Sequence, residues 1–109
     1  FRFAAEAPHP VTTVVVNNNG GGIFSFLPVA SSTDVFETYF GTPHGLRLEY
    51  AAKMFGLGYA SPSSMAELRR MYEEAVTSGE SSLLEVFTSR EENVNDHREL
   101  ERKIAESRP

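Results

Sequence analysis

Residues 11–28, VTTVVVNNNGGGIFSFLP, run from a block of β-branched side chains through three asparagines and three glycines into an apolar segment closed by Pro28. Four valines and two threonines in residues 11–16 favour a strand. The run is apolar on both faces toward its end, which predicts an interior strand of a parallel sheet covered by helices. Where that strand stops, side chains become oxygen donors, and the glycines allow close approach of the backbone with φ of either sign. A turn of this composition at the end of a strand is the place to look for ligand chemistry.

The rest of the chain alternates between helix and strand signals. Residues 1–7 predict the end of a helix, stopped by Pro8 and Pro10. Residues 23–27 predict a short helix or turn, and residues 29–45 read as irregular, with Val35, Phe36, Tyr39 and Phe40 spaced for one helical turn or two. Leu48, Ala51, Ala52 and Phe55 form an apolar stripe, and Gly56 is placed to end that helix. A short strand is expected at residues 58–60. Ser64 with Glu67 makes a capping box, and Met65, Leu68, Tyr72, Ala75 and Val76 carry the helix on to Gly79. Residues 82–88 predict another strand, in which alternation turns Glu85 toward solvent, a buried general base being the alternative. Residues 95–106 predict a surface helix with His97, Leu100 and Ile104 on one face and a Glu99–Lys103 pair. This order specifies an α/β fold, a parallel sheet flanked by helices.

Composition narrows the function. The 109 residues suit one domain with one core. Ten Lys plus Arg against fifteen Asp plus Glu leave a formal charge of -5, which argues against nucleic acid and against anionic membrane surfaces. There is no cysteine, so thiolate and disulfide chemistry are excluded. No apolar run reaches membrane-spanning length. The chain opens at Phe1 with neither an initiator Met nor a signal-peptide pattern, and is expected to be a piece of something longer.

The turn chemistry follows from its atoms. Mg²⁺ takes an octahedron of oxygens and usually combines one or two protein groups with phosphate oxygens of its ligand. Asn side-chain carbonyls and Gly main-chain carbonyls supply such oxygens without adding charge beside a diphosphate. A helix starting near Ile23 would point its positive end at phosphate. The plain alternative is a flexible Asn-Gly corner. The P-loop pattern fails, because no Lys-Ser or Lys-Thr follows the glycines. A dinucleotide-binding oxidoreductase pattern fits in part. Gly20 and Gly22 match its first two glycines, Ser25 stands at the third position, and Asp34 and Glu37 both fall short of the usual offset of about 20 residues for the ribose acid.

Beyond these physical readings, the stretches VVVNNNGGGIFSFLP, FETYFGTPHGL, EYAAKMFGLGY and SLLEVFTSREENVNDHREL together resemble the C-terminal end of the MenD family. These are thiamine-diphosphate enzymes that make 2-succinyl-5-enolpyruvyl-6-hydroxy-3-cyclohexene-1-carboxylate. The resemblance runs from about Pro10 to Leu100. It implies that residues 1–109 are the C-terminal part of an incomplete diphosphate-binding (PP-type) domain, with the upstream domains lying outside the chain. It further implies decarboxylation of 2-oxoglutarate and addition of a succinyl carbanion equivalent to isochorismate in menaquinone or phylloquinone biosynthesis. The cofactors would be thiamine diphosphate with Mg²⁺ or Mn²⁺, in a homodimer or homotetramer with the cofactor at a subunit interface, in the cytoplasm or a plastid.

Carried over by position, Asn18 gives its side-chain oxygen and Gly20 its main-chain carbonyl to the metal. Gly21 and Gly22 line the diphosphate, Ile23 and Phe24 pack near the thiazolium and substrate, and Asn17 braces the turn. Asn19 stands where related enzymes often have Asp. The family's Gly-Asp motif and its cofactor-activating glutamate are not in this sequence, so the isolated chain is expected to be inactive. A noncatalytic remnant that only pairs with another subunit is the alternative. His44 is weighed between a loop over the active site and an exposed loop residue, His97 as part of a solvated helix face, and His9 as a turn residue between prolines.

Overall fold

The computed structural model describes residues 1–108, leaving aside the side chain of Thr33. Two compact units emerge, one formed by Phe1–Asn17 with Leu46–Phe87, the other by Asn18–Gly45 with the chain from Thr88 onward.

The first unit is an α/β layer. Helix α1 (Arg2–Glu6) leads into β1 (Thr12–Asn17), and α3 (Glu49–Met54), β2 (Gly58–Ala60), α4 (Met65–Thr77) and β3 (Ser82–Phe87) follow after an excursion through the second unit, where α2 lies (Thr33–Phe36). The three strands make a parallel sheet in the order β1-β3-β2, with Thr12 opposite Ser82, Asn17 opposite Phe87 and Gly58 also opposite Ser82. Helices α3 and α4 both pack against β3. The expected parallel sheet with flanking helices is the one found, and the three strands fall within a residue of their expected limits at each end.

The place of β1 differs from expectation. Among the described residues β1 is an edge strand, with Val14 44% and Val16 64% exposed. The interior position belongs to β3, whose Leu83, Leu84 and Glu85 are at most 1% exposed. Its flanks are covered on both faces, so side-chain alternation does not turn Glu85 to water. Ala4, Ala52, Leu57 and Leu83 form the core, with Val11, Val15, Leu48, Phe55 and Tyr59 packed against it.

Helix α4 begins as its sequence requires. Ser64 Oγ accepts from the Glu67 amide at 3.2 Å, and Glu67 Oε2 accepts from the Ser63 hydroxyl at 2.7 Å and the Ser63 amide at 2.8 Å. These bonds hold the Glu67 carboxyl below its ordinary pKa, the Ser63 hydroxyl contributing most. Leu57 N donates to Ala52 O at 2.9 Å beyond α3, around Gly56 at φ 66°.

The second unit is made of short turns and one long helix. Residues Gly22–Phe26 and Pro28–Ser31 are 3₁₀ turns, and α2 passes directly into a π-type turn, Glu37–Gly41. The helical spacing noted at Val35 to Phe40 is realised as these two turns. Helix α5 (Arg90–Glu106) starts five residues before the expected Asn95, because Ser89 Oγ accepts from the Glu92 amide at 3.2 Å and caps a first turn of wholly polar residues. No described helix is long and apolar enough to cross a membrane.

Candidate functional site

The second unit carries the Asn-Gly turn. Asn18 Oδ1 accepts from the Gly20 amide at 3.3 Å, a side-chain-closed turn of the kind asparagine favours. Asn19 adopts the left-handed conformation at φ 57°, and its Oδ1 accepts from the Gly45 amide at 2.8 Å. Gly20 follows at φ 141°, where an L side chain is strained, and a Cβ there would collide with the Gly41 carbonyl. The Gly21 amide donates to that same carbonyl at 2.8 Å. A Cβ at Gly22 would lie 2.7 Å from Asn18 Nδ2. The three glycines are therefore required by packing within the turn and against residues 40–42, a reason that sequence spacing alone did not supply.

Phe24 meets Phe40 edge-on with ring centroids 5.6 Å apart, and Phe40 stacks on Phe36 at 6.3 Å. Ile23 is left 73% exposed at the head of the first 3₁₀ turn. That turn has five residues, too few to build the macrodipole expected of a helix starting near Ile23. Arg90 Nη2 donates to Glu37 Oε2 at 2.7 Å, and a Cβ at Gly41 would run into this pair. A cavity of about 770 Å³ lies beside the turn, lined by Asn18, Asn19, Ser25, Ser89, Arg90 and Arg98 among others, within the usual size of a small-molecule site. Arg90 and the Ser89 cap were not among the candidate residues, although Ser89-x-x-Glu92 repeats the spacing of Ser64-x-x-Glu67, and Glu37 was weighed only as a ribose-binding acid.

Asn17 belongs to the first unit, at the end of β1. It is buried, and its Nδ2 donates to Glu85 Oε1 at 2.6 Å and to Leu46 O at 3.2 Å. Glu85 Oε2 accepts from the Leu48 amide at 3.0 Å and from Tyr59 Oη at 2.8 Å. Burial, and next the Glu85 carboxyl, push the Tyr59 phenol above its ordinary pKa. His44 is exposed, as are His9 and His97, and Phe26 packs edge-on against His97 at 5.2 Å.

The donor set at the turn is neutral oxygen, which suits a hard divalent cation that also takes oxygens from its ligand. Among the described residues no group of three or more His, Cys, Asp or Glu is gathered to hold a metal. A cation here would draw on the Asn18 amide, the Gly20 main chain and the ligand itself.

Known proteins give this turn a context. No protein-family model matches the chain. Sequence comparison finds 2-succinyl-5-enolpyruvyl-6-hydroxy-3-cyclohexene-1-carboxylate synthases. That of Rubrobacter xylanophilus is 54% identical over 96 residues, 88% of this chain. Those of Chlorobium phaeobacteroides and Salinibacter ruber are each 50% identical over 95 residues, 87% of this chain. The chain is homologous to the MenD synthases. It spans 17% of the Rubrobacter synthase and 16% of the other two. The resemblance to the MenD synthases drawn from the four sequence stretches is thereby supported across most of the chain's own length.

Proposed function

We propose that this chain is the C-terminal, cofactor-diphosphate-holding part of a MenD-type synthase, a transferase that uses 2-oxoglutarate and isochorismate on the route to menaquinone or phylloquinone. The observation that carries this reading is the Asn18–Gly20 turn, a neutral oxygen set directly after the C-terminal end of a parallel strand, where α/β folds bind ligands. In this reading Asn18 Oδ1 and the Gly20 carbonyl hold Mg²⁺ or Mn²⁺. Gly21 and Gly22 leave room for the diphosphate, and Ile23 and Phe24 offer apolar surface to the cofactor ring and the substrate. Asn17 acts from behind the turn. Thiamine diphosphate, when bound, supplies the electron sink for decarboxylation, and the protein supplies binding and orientation. Residues 1–109 make up part of the diphosphate-binding domain. The remaining metal ligand, the cofactor-activating glutamate and most substrate contacts come from other segments and from a second subunit.

The test is binding of thiamine diphosphate to the complete polypeptide, followed calorimetrically with and without Mg²⁺. Asn18→Ala is expected to weaken Mg²⁺-dependent binding by a factor on the order of 100, as loss of a direct ligand should exceed that of a supporting group. Unchanged affinity in that variant would refute the assignment.

A further inference from the structure

We infer that Glu85 is a positioning residue for the cofactor turn: by holding Asn17, it fixes the direction in which the chain leaves β1 toward Asn18 and Gly20. This rests on the proposed function above and adds to it a residue from the strand paired with β1.

Glu85 lies on the central strand and is 0% exposed. Its neighbours there are Leu83, Leu84, Val86 and Phe87, so an apolar side chain would continue the core without the cost of burying a carboxyl. Instead, three donors converge on its two oxygens, from Asn17 at the end of β1, Leu48 just before α3, and Tyr59 on β2. They come from three separate segments, and none is a sequence neighbour of Glu85. The Asn17 amide is held at two acceptors, Glu85 Oε1 at 2.6 Å and Leu46 O at 3.2 Å, which defines the plane of its side chain. Asn17 is the last residue of β1, and the next residue is Asn18. Mutating a group that orients a metal ligand typically costs about 10- to 100-fold in metal affinity, and Glu85 acts one residue further out, through Asn17.

The experiment uses the complete polypeptide and three variants. Glu85→Gln keeps the size of the side chain but replaces one acceptor oxygen by a donor that opposes the existing N–H and O–H groups. It is expected to weaken Mg²⁺ binding in the presence of thiamine diphosphate by about tenfold or more. It should also speed amide hydrogen exchange at Gly20, Gly21 and Gly22 in the ligand-free protein. Asn17→Ala, which leaves the other two donors on Glu85, should do the same and decides the matter if Glu85→Gln does not fold. Tyr59→Phe removes one donor from the carboxyl without touching Asn17, and should lower the melting temperature while leaving Mg²⁺ affinity within roughly twofold of wild type. Wild-type Mg²⁺ affinity and exchange in Asn17→Ala, or in a folded Glu85→Gln, would reduce Glu85 to a core residue and overturn the inference. A wild-type protein that binds no thiamine diphosphate with Mg²⁺ would overturn the proposed function first, and the positioning role with it.

Discussion

Asn19 shows how much one side chain settles here. It occupies a left-handed backbone conformation that asparagine tolerates better than most residues, and its own oxygen secures the Gly45 amide. An aspartate would keep that acceptor, so the identity of this residue is less restricted than that of Gly20, whose φ and contact with the Gly41 carbonyl exclude any side chain. Tyr59 is the residue whose chemistry is easiest to read in solution. Its phenol titrates above the ordinary value in the folded state, so its contribution to stability is complete below the unfolded value of about 10 and is lost as pH rises through the folded value. Denaturant unfolding of wild type against Tyr59→Phe should therefore show a difference in stability that is flat in neutral solution and shrinks in the alkaline limb. A difference independent of pH up to strongly alkaline conditions would show that burial beside Glu85 does not raise the phenol.

Among the elements, α5 has the most to reveal. Its Ser89 cap satisfies one of the free amides at the start of a 17-residue helix, and Ser89→Ala is expected to cost about 1 kcal/mol in urea unfolding. An effect smaller than a few tenths would mean that the first turn frays with or without the cap. The strands and α4 were legible in the sequence because β-branched runs, glycines and a Ser-x-x-Glu start each carry a local signal. The start of α5 carries the same Ser-x-x-Glu spacing, but Arg90, Glu91, Glu92 and Asn93 add no apolar periodicity to it, and Val94 is the first residue of the helix to be buried. The burial of Glu85 was also hidden. Alternation describes the two faces of a strand, whereas the partners that make this acid acceptable lie 68, 37 and 26 residues away. The Asn-Gly turn stood out by composition, but the reason for each glycine became visible only with residues 40–42 beside it.

At the scale of the whole molecule, the chain is a small share of the synthases it resembles. The chain matches the three synthases named above over 87–88% of its own length and 16–17% of theirs. Calorimetry of the isolated 109-residue chain with thiamine diphosphate and Mg²⁺ should give no tight, metal-dependent binding, since two neutral oxygens are a minority of an octahedral shell. Tight binding by this chain alone would show that the turn and its neighbours suffice. The parallel pairing of β1 with β3 sets a further condition. Thr12 meets Ser82 across an interval whose bond from Val11 to Ser81 spans 70 residues, so closing it carries the entropy of a long loop and gives the fold many distant contacts. On a ribosome, β1 must wait for synthesis of β3 before this pairing can form, and Asn17 waits with it for Glu85. The strand end that launches the turn is made 68 residues before the carboxyl that anchors it.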